Sequence, residues 1–140
     1  KRVAPVVGGT ETILIVDDEL IVRTVAENVL KRQGYKVETA QDGKEALEVV
    51  ARCGKSISMI MLDLTMPRMS GRETFKELRS GQFPYIPVVI CSGYLVEVDS
   101  FAEEAGSVPE GVVQKPYQVD VLAREIRRVI DGVEANLVLG

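Results

Sequence analysis

Five times along this chain a short run rich in apolar residues is followed by a segment whose apolar residues recur every three to four positions. Ile13-Leu14-Ile15-Val16 is too short for a helix and rich in β-branched residues, so it reads as a buried strand. Leu20 to Arg32 carries Ile21, Val22, Val25, Val29 and Leu30 on one helical face, and Gly34 follows as a stop. Lys36 to Ala40 reads as a second strand and Asp42 to Arg52 as a second helix. Ser58 to Leu62 is a third strand, Met66-Pro67 opens a loop, and Gly71 to Ser80 is a short helix. Ile86 to Cys91 forms a fourth strand, followed by a weaker helix from Leu95 to Ala105 that ends near Gly106. Val112 to Gln114 is a short fifth strand, and Gln118 to Ile130 a helix that Gly132 ends.

Strands alternating with helices give an α/β domain with a parallel sheet. The runs Ile13–Val16, Met59–Leu62 and Val88–Cys91 are apolar throughout, as strands covered on both faces should be. At 140 residues the chain is the size of one domain. Residues 1–11, polar and rich in small side chains, read as a linker, 12–132 as the folded domain, and 133–140 as a tail or linker.

In open parallel sheets ligands bind beyond the carboxyl ends of the strands, so the residues that end each strand matter most. The first strand ends in Asp17-Asp18-Glu19, the third in Asp63, the fourth in Cys91-Ser92-Gly93 and the fifth in Lys115-Pro116. Each has an ordinary explanation alone. Asp17 or Asp18 can cap a helix, Asp63 can start a turn, and Lys115 can be a solvated charge. Their coincidence at one edge is not explained that way. Carboxylates brought together repel unless a cation sits among them, and all-oxygen donors suit magnesium. An acidic first turn also opposes a flavin or nucleotide pocket, which uses glycines and hydroxyls there, and the chain has no G-x-x-x-x-G-K-[ST] motif.

The chain lacks histidine, which removes Ser/His and Cys/His nucleophile systems and the commonest zinc ligand. A net charge of -4 argues against a nucleic-acid surface, and no stretch is apolar for the length a membrane span requires. Lys1-Arg2 is followed by Pro5, Gly8 and Gly9 instead of an apolar signal core. Cys53 and Cys91 read as reduced thiols, in keeping with a cytoplasmic protein.

Four pieces, in order, resemble the receiver domain of two-component signalling: Ile13-Leu14-Ile15-Val16-Asp17-Asp18-Glu19; Met61 through Gly71 around Asp63; Pro87 through Tyr94; and Gln114-Lys115-Pro116-Tyr117. The Gly9–Ile13 stretch and Ser92-Gly93-Tyr94 are most similar to receivers of hybrid sensor histidine kinases. The resemblance implies a flavodoxin-like, doubly wound (βα)5 fold, with strand order 2-1-3-4-5 and helices on both faces. It makes Asp63 the phosphoacceptor of a phosphorelay. Asp18 would bind Mg2+ (or Mn2+) directly, Asp17 largely through water, and Thr65 through its backbone carbonyl. Lys115 would pair with the phosphoryl oxygens and Ser92 would hydrogen-bond one of them. Thr65 and Tyr94 would tune the hydrolytic water, and the Lys115–Pro116 peptide is a candidate for cis.

Such a domain catalyses its own phosphorylation and dephosphorylation without a kinase core. The implied partners are a histidine kinase or histidine phosphotransfer domain, with helix four, strand five and helix five as the partner and homodimer surface. One departure stands out: many receivers carry a switching Tyr or Phe three residues before the lysine, and here that position is Val112. Two other readings compete. A phosphorylation-independent interaction module would have no use for intact Asp17, Asp18, Asp63, Ser92 and Lys115. A small-molecule phosphatase would need a second acid beside Asp63, and Leu64, Thr65 and Met66 offer none.

Overall fold

The computed structural model describes residues 8–66 and 69–139, with side chains of the last helix described through 133. Pro67 and Arg68 of the expected loop, the first seven residues of the expected linker and Gly140 lie outside the described residues. The strands are β1 (Thr12–Val16), β2 (Lys36–Ala40), β3 (Ile57–Asp63), β4 (Val88–Ser92) and β5 (Gly111–Gln114). The helices are α1 (Leu20–Arg32), α2 (Gly43–Cys53), α3 (Gly71–Ser80), α4 (Ala102–Ala105) and α5 (Val119–Leu139). The strands form one sheet in the order β2-β1-β3-β4-β5, every neighbouring pair parallel.

The apolar strands are explained by burial on both faces. Leu14, Val16, Ile60, Leu62, Val88 and Ile90 join one core cluster with Val49 of α2 and Phe75 of α3. Their alternates, including Ile13, Ile15, Met59, Met61, Val89 and Cys91, join a second with Leu30 of α1 and Leu122 and Ile126 of α5. The strand period of two thus sorts each run between the two layers. Cys53 and Cys91 are free.

Local chemistry sets the helix boundaries. Asp42 caps α2 by accepting a hydrogen bond from the Glu45 N–H at 2.8 Å, and Ser70 caps α3 by accepting one from the Glu73 N–H at 3.2 Å. After α1, Gly34 takes a left-handed φ of 99°, which frees the chain to turn into β2.

Three expectations change. The weak helix from Leu95 to Ala105 is a 3-10 turn at Val98–Phe101 continued by the four-residue α4, closed by Gly106 at φ 69°. Buried Phe101 anchors it edge-on to Phe75, with the Arg72 guanidinium 4.3 Å from the Phe101 ring centre. Leu95, by contrast, is 89% exposed and has no packing to hold a longer helix.

The last helix does not stop at Gly132. Glycine weakens a helix by under about 1 kcal/mol and does not by itself end one; the left-handed turn that glycine favours occurs, among the described residues, at Gly34 and Gly106 and not at Gly132. Finally, Gly9 and Glu11, grouped by composition with the linker, are held by the fold. The Gly9 N–H donates to the Gln33 carbonyl at 3.1 Å, the Lys36 N–H donates to the Glu11 carbonyl at 3.0 Å, and the Arg127 guanidinium lies 2.8 Å from Glu11 Oε1. Among the described residues, no helix is long and apolar enough to cross a membrane.

Candidate functional site

Parallel pairing brings the ends of β1, β3, β4 and β5 to one edge of the sheet. Val16 pairs with Leu62, Asp63 with Cys91, and Ser92 with Gln114. Hydrogen bonds carry the alignment past the strands: the Leu64 N–H donates to the Cys91 carbonyl at 3.0 Å and the Lys115 N–H to the Ser92 carbonyl at 2.7 Å. The Lys115–Pro116 peptide is cis.

At that edge Lys115 Nζ lies 2.7 Å from Asp17 Oδ2 and 3.2 Å from Asp63 Oδ1. Carboxylate oxygens of Asp17, Asp18 and Asp63 lie within 4.8 Å of one another. Asp17 is 1% and Asp63 4% exposed, whereas Asp18 faces solvent. Backbone donors share the load. The Glu19 N–H donates to Asp17 Oδ1 at 2.9 Å and the Thr65 N–H to Asp63 Oδ1 at 3.3 Å. Buried Ser92 accepts from the Tyr94 N–H at 3.1 Å, while the Tyr94 ring is exposed.

One ammonium faces three carboxylates here, and the imbalance shows in proton affinity. Burial, reinforced by the Asp17 charge, pushes the Asp63 carboxyl up to about 6 against the pull of Lys115 and the Thr65 N–H. Burial alone would lower Lys115, but the hydrogen bond to Asp17 and the charges of Asp63 and Asp17 outweigh it and raise it. A cation would relieve the same repulsion that the proton relieves, and the hard oxygen donors match Mg2+. The residues present therefore fit a divalent ion.

Behind the site, burial pushes the Cys91 thiol up to about 12. Beside it lies an apolar groove of about 380 Å³ lined by Ile21, Val22, Val25, Lys115, Pro116 and Tyr117. Ile21 is 77% and Val25 51% exposed, an unusual amount of apolar surface for the first turns of α1. Val112 is half-buried against the core face that holds Phe75, with no aromatic ring at its position.

Asp17, Asp18, Asp63 and Lys115, singled out from sequence at the strand ends, meet here, while Ser92 at the end of β4 is bonded to the Tyr94 N–H; one further participant escaped that reading. Arg23 of α1 donates from Nη1 to the Asp17 carbonyl at 2.7 Å. Its only sequence signal is a basic residue in the first turn of a helix, where the dipole disfavours it.

A sequence model of the response regulator receiver domain matches residues 13–127. Among curated proteins, the chain is 32% identical over 124 residues to Sensor kinase CckA of Brucella abortus, covering 88% of this chain and 13% of the kinase. It is 36% identical over 121 residues to Response regulator MprA of Mycobacterium leprae, covering 84% of this chain and 50% of MprA. Among solved structures, the chemotaxis protein CheY4 of Vibrio cholerae superposes with a TM-score of 0.76 at 29% identity, covering 86% of this chain and 99% of CheY4. The chain thus spans half or less of the two curated relatives.

Proposed function

The chain belongs to the response regulator receiver domain family, and from that premise we propose that Asp63 accepts a phosphoryl group from a phosphohistidine donor. The observation that carries this reading is the position of Asp63: nearly buried, 3.2 Å from the Lys115 ammonium, and grouped with Asp17 and Asp18. In the transfer a bond forms between an Asp63 carboxylate oxygen and phosphorus as the donor's N–P bond breaks, leaving an aspartyl phosphate and a free imidazole. Phosphoryl transfer asks the protein mainly for positioning and charge neutralisation. Lys115 supplies fixed positive charge at the attacking oxygen. Asp17, Asp18, Asp63 and the Thr65 carbonyl would hold Mg2+, which when bound neutralises charge on the phosphoryl oxygens.

The product adds about -1.5 to -2 charges and new acceptor oxygens. Ser92 Oγ, which now accepts from the Tyr94 N–H, has its hydroxyl proton to donate to one of them. Lys115 would exchange part of its contact with Asp17 for the phosphoryl group. Both residues flank β4 and β5, so the new bonds bias the surface that those strands support. With Val112 at the usual aromatic position, that bias reaches the partner surface without a rotating ring. Thr65 and Tyr94, beside the acid edge, would govern access of hydrolytic water. The groove along Ile21, Val22 and Val25 would seat an apolar surface of the phosphodonor or phosphotransfer partner next to Asp63. The similarity to Sensor kinase CckA, of which the chain spans 13%, supports a receiver module within a larger sensor kinase.

The test is to incubate the protein with a small acyl phosphate and Mg2+ and measure its intact mass. A phosphoryl adduct that is lost in Asp63→Asn supports the proposal. No adduct with any donor would leave a phosphorylation-independent interaction module.

A further inference from the structure

We propose that Arg23 is a positioning residue for the acidic site, an inference that rests on the metal-assisted reading above. Asp18 is the exposed member of the carboxylate group, so its place depends on the backbone that carries it. That backbone is a tight turn between β1 and α1, and α1 begins without a side-chain cap at Glu19. Other bonds fix the turn. The Asp17 N–H donates to the Ala40 carbonyl at 3.1 Å, and the Glu19 N–H donates to Asp17 Oδ1 at 2.9 Å. The Arg23 N–H donates to the Glu19 carbonyl at 2.9 Å, and Arg23 Nη1 donates to the Asp17 carbonyl at 2.7 Å. The last bond is the decisive one. The Asp17 carbonyl belongs to the peptide that links Asp17 to Asp18, and the orientation of that peptide sets the direction in which the Asp18 carboxylate leaves the chain.

Arg23 also creates a conflict of signs that makes the idea testable. A guanidinium beside a cation site repels the cation, so on charge alone removing it should tighten binding. If the guanidinium orders the turn, removing it should weaken binding, because loss of groups that orient metal ligands commonly costs tenfold or more in affinity. The two roles predict opposite outcomes.

The experiment titrates Mn2+ into the intact chain and follows the free ion by electron paramagnetic resonance, in wild type, Arg23→Ala and Arg23→Lys. We expect Arg23→Ala to bind Mn2+ about tenfold more weakly, with Arg23→Lys, which keeps the charge and a donor, recovering most of the loss. In metal-free protein, amide exchange at Asp18 and Glu19 should speed up in Arg23→Ala while β3 and α5 stay protected. Should alanine unfold the domain, Arg23→Met keeps the aliphatic stem and removes the donor. Binding by Arg23→Ala as tight as wild type, or tighter, overturns the role of Arg23 alone. A wild-type protein that binds no Mn2+ overturns the metal-assisted reading itself, and this inference with it.

Discussion

Replacing Asp63 by asparagine should stabilise the metal-free protein. In the folded chain the Asp63 carboxyl is pushed up to about 6 from an ordinary 3.8, chiefly by burial and then by Asp17, a net displacement that already includes the help of Lys115. A folded-state value above the unfolded one means that folding favours the protonated form. The cost of ionising Asp63 is absent below about pH 4, grows between about pH 4 and 6, and is complete above that. A gap of about two units at ~1.4 kcal/mol each sets a ceiling near 3 kcal/mol. Asparagine has the shape of the acid without the charge, so Asp63→Asn should gain about 1–3 kcal/mol at pH 7.5. For a domain of this size that is a rise in Tm of roughly 4–10 °C. The assay is thermal unfolding by circular dichroism with chelator present, at pH 4 and pH 7.5, then with Mg2+ added. The gap should close at pH 4 and narrow with Mg2+, which offsets the same repulsion in wild type. A variant that melts at or below wild type at pH 7.5, or a gap undiminished at pH 4, would refute the reasoning.

Two further outcomes follow from packing and surface. Arg79 is 8% exposed at its side chain and binds Glu110 Oε2 at 2.6 Å, the Ile86 carbonyl at 2.9 Å and Ser107 Oγ at 3.0 Å, while Glu110 Oε1 accepts from the Val88 N–H at 2.7 Å. Arg79→Ala should therefore cost about 1–2 kcal/mol in denaturant unfolding, because it removes the donors to the Ile86 carbonyl and Ser107 Oγ at the entry of β4 and β5, while Glu110 stays solvated. Ile21→Glu, in the groove beside Lys115, should slow phosphotransfer from a histidine donor domain at least tenfold by burying a charge at the contact. Mass analysis should show its labelling by a small acyl phosphate unchanged.

β1 and β3 were legible because their apolar runs stop abruptly at Asp17 and Asp63, and those stops belong to the acid edge. The end of α1 and the start of α2 were legible to within a residue because Gly34 and Asp42 do local work that local sequence records. What stayed hidden depends on distant atoms. Sequence placed Lys115 and the aspartates at one edge, but not that Lys115 lies closer to Asp17, 98 positions away, than to Asp63. It could not see Arg23 folding back onto a carbonyl, since a guanidinium names no acceptor. Gly132 misled because glycine permits a left-handed turn without requiring one. The short α4 follows from Phe101 being fully buried while Leu95 stays exposed.

The passage of α5 through Gly132 also has a mechanical consequence. A continuous helix of 21 residues is about 30 Å long. It starts just after the cis Lys115–Pro116 peptide, is clamped midway by Arg127 to Glu11, and runs on as a rod. If new bonds at Lys115 tilt it about that clamp by about 5°, its far end, about 18 Å beyond Arg127, sweeps about 1.5 Å. A displacement at the acid edge would then be larger at the far end of that rod than at its root.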